Sequence, residues 1–87
     1  MIAEMIEAIE AQGVEVDFWP LPAGTGYLWH SPAGLRCVVS SNDTQETQAR
    51  VIAHELGHIL LGHDLGPYLH RPEEEKAAET FAAGVTT

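Results

Sequence analysis

The chain has 87 residues, 45% of them hydrophobic and 20% charged, which suits one domain with one modest core and excludes a disordered chain. Four Lys+Arg against 13 Asp+Glu give a net charge of −9, a surface that would repel a phosphate backbone and so argues against direct nucleic-acid binding. The one cysteine, Cys37, rules out an internal disulfide and fits a reducing compartment, and no apolar run approaches the roughly 18 residues of a membrane span.

The N-terminus, from Met1 through Ile2, Ala3, Glu4 and Met5, lacks the basic-then-apolar form of a leader. A soluble cytoplasmic protein with no membrane partner is expected. Residues 2–12 read as a helix with Ile2, Met5, Ile6 and Ile9 on one face and Glu4, Glu7 and Glu10 elsewhere; Gly13 is its stop. Residues 14–18 alternate apolar and acidic as a half-buried strand does, and Pro20 and Pro22 end them. Residues 26–30 and 35–40 form a predicted hairpin around the turn Ser31-Pro32-Ala33-Gly34. Cys37, beside Val38 and Val39, is expected to be a buried strand residue rather than a nucleophile or ligand.

A second helix is predicted over 44–61, with Asp43 and Glu46 in the form of a capping box and Gly62 as its end. Ala49, Ile52, Ala53, Leu56, Ile59 and Leu60 mark its apolar face. Residues 63–71, with Gly66 and Pro67, read as a loop. Pro72 followed by Glu73, Glu74 and Glu75 opens a third helix, whose apolar face is Ala78, Phe81, Ala82 and Val85. The order of elements predicts a single α+β domain over residues 1–87, with a small antiparallel or mixed three-stranded sheet.

On the second helix, His54, Glu55 and His58 form an H-E-x-x-H pattern. Residues i and i+4 share a helix face one turn apart, so two imidazoles there can reach one zinc ion at about 2.0–2.1 Å. Glu55 is offset by roughly 100° around the helix, which suits it to a water rather than to the metal. That water, activated by zinc, is the expected nucleophile, with Glu55 as general base passing the proton to the leaving amine. An exposed helix with two spare histidines is the plain alternative. The strong amphipathic pattern around the motif and a carboxylate cluster downstream speak against it.

Catalytic zinc takes three protein ligands and keeps one position open. Glu75 and Glu79 are i,i+4 on the third helix, so one could bind metal while the other orients a ligating histidine. Asp64 is the rival, where a metzincin-like pattern would place its third ligand. That pattern needs glycine at position 61, which is Leu61, and a downstream methionine turn, whereas the methionines are Met1 and Met5.

At these residues the chain resembles the ImmA/IrrE family of small bacterial and phage metallopeptidases. The likeness covers the leading helix, the sheet, the run from Val51 to His63 and the run from Glu75 to Ala82. Members typically carry a second motif of the form E-x-x-A-N/D-x-F-A; Glu75, Ala78, Phe81 and Ala82 match it, and Glu79 stands at the Asn/Asp position. The resemblance implies a minimal zincin-like core, in which the N-terminal helix, the H-E-x-x-H helix and a C-terminal ligand helix pack with the sheet. It assigns His54, His58 and Glu75 as zinc ligands and Glu55 as general base. It also implies a protein substrate, often a helix-turn-helix repressor of bacterial or phage origin.

The leading functional expectation is therefore a zinc endopeptidase acting on a DNA-binding regulator, with His63, His70 or Tyr68 as candidate oxyanion donors from the loop. The alternative is a metal-stabilised binding module that docks a repressor or toxin partner without cutting it. Glu55 argues for the enzyme, since a purely structural site needs no base, whereas a fourth ligand such as Asp64 or His63 would argue for the module. Hydrolysis of a non-peptide substrate is the third expectation.

Overall fold

The computed structural model describes residues 1–63 and 70–86. Among them, the elements run α1 (Ile2–Glu10), β1 (Glu15–Trp19), β2 (Gly26–Ser31), β3 (Gly34–Ser40), α2 (Gln45–Leu60) and α3 (Pro72–Val85). The expected α+β class holds. The sheet is mixed, in the order β1-β3-β2, with β1 parallel and β2 antiparallel to β3.

The period-2 pattern aims Val16 and Leu28 to the same side as Cys37, with which both are in register, and Val39 follows on that face. Helix α1 contributes Met5 and Ile9, and α2 contributes Ala49, Ile52, Ala53 and Leu56, so the two helices close the core on that face. Cys37 is fully buried as expected, and burial pushes its thiol well above the usual range. Helix α1 ends at Glu10, two residues earlier than expected. Gln12 and Gly13 already make turn bonds to the carbonyls of Ile9 and Glu10, and Gly13 takes a φ of 81°.

The hairpin turn is closed by Ser31, whose Oγ donates to the Gly34 carbonyl at 2.7 Å and accepts from Ala33 N at 3.1 Å. The connection from β1 to β2 crosses the end of β3. There Ser40 N donates to Thr25 O at 3.1 Å, Ser41 N donates to Trp19 O at 2.7 Å, and the buried Ser40 Oγ donates to Leu21 O at 2.7 Å.

Two expectations about α2 need correction. Its N-cap is Thr44, whose Oγ1 accepts from Thr47 N at 3.2 Å. Asp43, one residue earlier, instead accepts from Gly24 N at 2.7 Å and ties the crossover to the helix entrance. Leu60 has the spacing of an inward residue yet is half exposed, because the buried cluster ends at Leu56 with Ile59 only partly packed. Helix α3 begins at Pro72 as expected, and Glu74 Oε1 accepts from Arg71 N at 3.0 Å. No helix among the described residues is long and apolar enough to cross a membrane.

Helix α3 packs on α2 at Gly57. A Cβ there would sit 3.2 Å from Ala78 Cα, so glycine is what lets the two backbones come this close. This approach carries the first turns of α3 across the histidine-bearing face of α2.

Candidate metal centre

His54 and His58 occupy successive turns of α2 with their Nε2 atoms 3.2 Å apart. Glu75, one turn before the Gly57–Ala78 contact, places Oε2 3.3 Å from His54 Nε2 and Oε1 2.8 Å from His58 Nε2. The three residues offer ligand atoms that all lie within 4.8 Å of one another. Donors about 2.0–2.1 Å from a tetrahedral ion lie about 3.3–3.4 Å apart, so this donor set fits a single divalent ion with little adjustment. Two imidazoles and one carboxylate form a set suited to zinc with a position left open.

The remaining ring atoms prepare both histidines for that role. His54 Nδ1 is 2.9 Å from Glu79 Oε2, and donation from Nδ1 leaves the Nε2 lone pair facing the centre. His58 is 1% exposed, with Nδ1 2.9 Å from His63 Nδ1. Its ring stacks on that of His70 at 3.6 Å, nearly parallel at 5°. Burial, reinforced by the neighbouring His70 and His54 and opposed by the Glu75 charge, pushes the His58 pKa down to about 4. The ring is therefore neutral at pH 7, as a metal ligand must be.

Glu55 is 7% exposed and lines a cavity of about 390 Å³ together with Gly24, Gly26, Thr47, Arg50 and Val51. His54, Glu75 and Glu79 line the same cavity. Burial and, secondarily, the Glu75 charge push the Glu55 pKa up to about 8. A divalent cation beside Glu75 would cancel that repulsion and favour the ionised carboxylate that a base requires. At Gly26, which also lines the cavity, a Cβ would collide with Val51 Cγ1.

Glu75 and Glu79 of α3 divide in position. Glu75 faces both Nε2 atoms, whereas Glu79 sits at His54 Nδ1 and also accepts from Arg50 Nη2. Burial raises the Glu79 carboxyl, but the hydrogen bonds from His54 and Arg50 outweigh it and hold its pKa below the ordinary value. His63 meets His58 at its Nδ1, whereas Glu75 meets that ring at Nε2. His70 places Nδ1 3.2 Å from Glu75 Oε1, against the centre itself. Asp64 and Tyr68 lie outside the described residues. Arg50 is the site residue that the sequence reading passed over. Its spacing of i−4 from His54 places it on the same helix face, and that was the available signal.

The family model Peptidase_M78, described as the IrrE N-terminal-like domain, matches residues 9–86. No curated protein matches the chain, and neither does a solved structure.

Proposed function

The chain belongs to the Peptidase_M78 family, the IrrE N-terminal-like metallopeptidases, and from that premise we propose that it is a zinc-dependent endopeptidase. The observation that carries this reading is the convergence of His54, His58 and Glu75 within 4.8 Å beside the buried Glu55.

His54, His58 and Glu75 would hold the ion, with Glu79 and His63 fixing the two rings from behind. Bound there, zinc supplies Lewis acidity toward the scissile carbonyl and toward water. Glu55 accepts the proton of the attacking water and delivers it to the departing amine nitrogen. Gly24 of the crossover and Gly26 at the start of β2 present no side chain to the cavity, which leaves room for a substrate backbone beside Glu55.

The substrate we propose is a bacterial or phage DNA-binding regulator, a protein with a basic surface. The resemblance of the two motifs supports this choice, as does the net charge of −9, which would steer a basic partner toward the chain. The test combines metal analysis of protein purified without chelator with incubation beside the regulator encoded next to its gene, at low and moderate salt. About one zinc per chain, and a cleavage product that disappears with Glu55→Gln, are expected. A fully folded protein indifferent to added zinc would overturn the reading. A stable uncut complex formed by the zinc-loaded wild type would favour the binding module instead.

A further inference from the structure

Glu79 carries one methylene more than the Asp or Asn of the second motif, and with it one more torsion to be fixed. A glutamate beside a pair of ligand nitrogens has two ways to act. It can accept from His54 Nδ1, or swing toward the metal position and compete with Glu75, its i,i+4 neighbour on α3. Something must select between them, since an unrestrained long side chain populates several rotamers.

The structure supplies a selector on α2. Arg50 lies one turn before His54, and its Nη2 donates to Glu79 Oε1 while His54 Nδ1 contacts Glu79 Oε2. Both carboxylate oxygens are thus engaged by two residues of one helix face. We propose that Arg50 is a positioning residue that pins Glu79 against His54 Nδ1 and off the metal position, so that Glu75 alone supplies the ligand carboxylate. This rests on the metallopeptidase reading above.

The proposal has a sign that plain electrostatics does not share. Arg50 is a cation near a site for a divalent ion, so deleting its charge should tighten metal binding if charge alone matters. If Arg50 acts through Glu79, deleting it should weaken binding, because His54 loses its fixed partner. Loss of such an outer partner typically costs about 10–100-fold in affinity. Loss of its restraint alone should fall below that range, at about three- to tenfold.

The experiment measures zinc and cobalt(II) affinity by chelator competition for wild type, Arg50→Ala, Arg50→Lys, Glu79→Ala and the double variant Arg50→Ala/Glu79→Ala. Metal-free melting serves as the control for folding. Arg50→Ala is expected to bind metal about three- to tenfold more weakly. Its cobalt(II) spectrum should shift as Glu79 becomes free to approach the ion. Arg50→Lys should recover affinity to within about twofold, since one donor nitrogen suffices for the single contact to Oε1. In the Glu79→Ala background, removing Arg50 should leave affinity unchanged or tighter, a non-additivity that marks one shared element. Arg50→Ala that binds as well as wild type or better overturns the proposal, as does an equal loss in both backgrounds. Should Arg50→Ala fail to fold, Arg50→Lys takes its place, and metal binding by that folded variant well beyond twofold weaker than wild type overturns the proposal as well. A wild type that binds no metal would instead overturn the metallopeptidase reading, so the two failures are distinguishable.

Discussion

Gly57 and Ala78 meet where α2 and α3 cross. A methyl group added to Gly57 would lie 3.2 Å from Ala78 Cα, 3.3 Å from its carbonyl oxygen and 3.1 Å from Phe81 Cδ2. Two of these three neighbours are helix backbone, which cannot yield without moving α3. Helix propensity favours Gly57→Ala by about 1 kcal/mol, but overpacking costs about 1–3 kcal/mol. A net loss of about 1 kcal/mol in metal-free stability is expected. Affinity for zinc should fall as well, because Glu75 rides on the displaced helix. Melting and metal titration of Gly57→Ala check both. Higher stability with unchanged affinity would show that the crossing does not set the site.

Glu55→Gln keeps the shape of the side chain and removes the base. Metal binding should stay within a few fold of wild type, while hydrolysis falls by about 10²–10⁴. Because Glu55 is buried, an uncharged isostere should not lower the melting temperature of the metal-free protein. Activity retained within tenfold of wild type would remove Glu55 from the role of general base.

Glu75→Ala should weaken zinc binding more than Glu79→Ala or Asp64→Ala. Glu75 faces both Nε2 atoms, whereas Glu79 reaches only Nδ1 of His54. Loss at Glu79 should cost about 10–100-fold, and loss at Glu75 more, since a ligand bond goes with it. Were Asp64→Ala the most damaging, the metzincin-like arrangement would replace this one.

On the outer face of the sheet, Arg36 bridges β3 to β1. Its Nε and Nη2 donate to the two Asp17 oxygens at 2.8 and 2.6 Å, and its Nη1 donates to Glu15 Oε2 at 2.6 Å. These hydrogen bonds hold the Asp17 carboxyl below its ordinary value. A depressed folded-state pKa gives stability that is present above the unfolded value of about 3.9 and is lost as pH falls through the folded one. Asp17→Asn should therefore lower stability at neutral pH and shrink the loss of stability below about pH 4. Denaturant titrations at several pH values compare the two proteins. Parallel wild-type and variant curves down through that region would show that the bridge contributes nothing.

What could be read locally was legible in the sequence. The spacing of Met5 and Ile9 marked α1, Ser31 to Gly34 marked the hairpin turn, and His54 and His58 share a face by helix geometry alone. Pairing of β1 with β3 rather than β2 was not legible, because strand order depends on how the 20–25 connection crosses the sheet. The cap of α2 was misplaced by one residue for a similar reason: Asp43 is drawn away by Gly24, a residue 19 positions earlier. At the site, Glu75 could be named from its motif, but its placement at the two Nε2 atoms, apart from Glu79 at His54 Nδ1, depends on the crossing at Gly57. Arg50 and His63 acquire their neighbours only in the folded chain.

Cys37 sits at the centre of β3 as the one thiol of the chain, fully buried and held in its protonated form. Its alkylation must therefore wait for the sheet to open, so the molecule carries a built-in clock for its own unfolding. An ion that binds only the folded form slows that clock by the factor 1 + [M]/Kd. Labelling of a single native thiol would thus read out an ion held by His54, His58 and Glu75 from a distance, without substrate and without a spectroscopic metal.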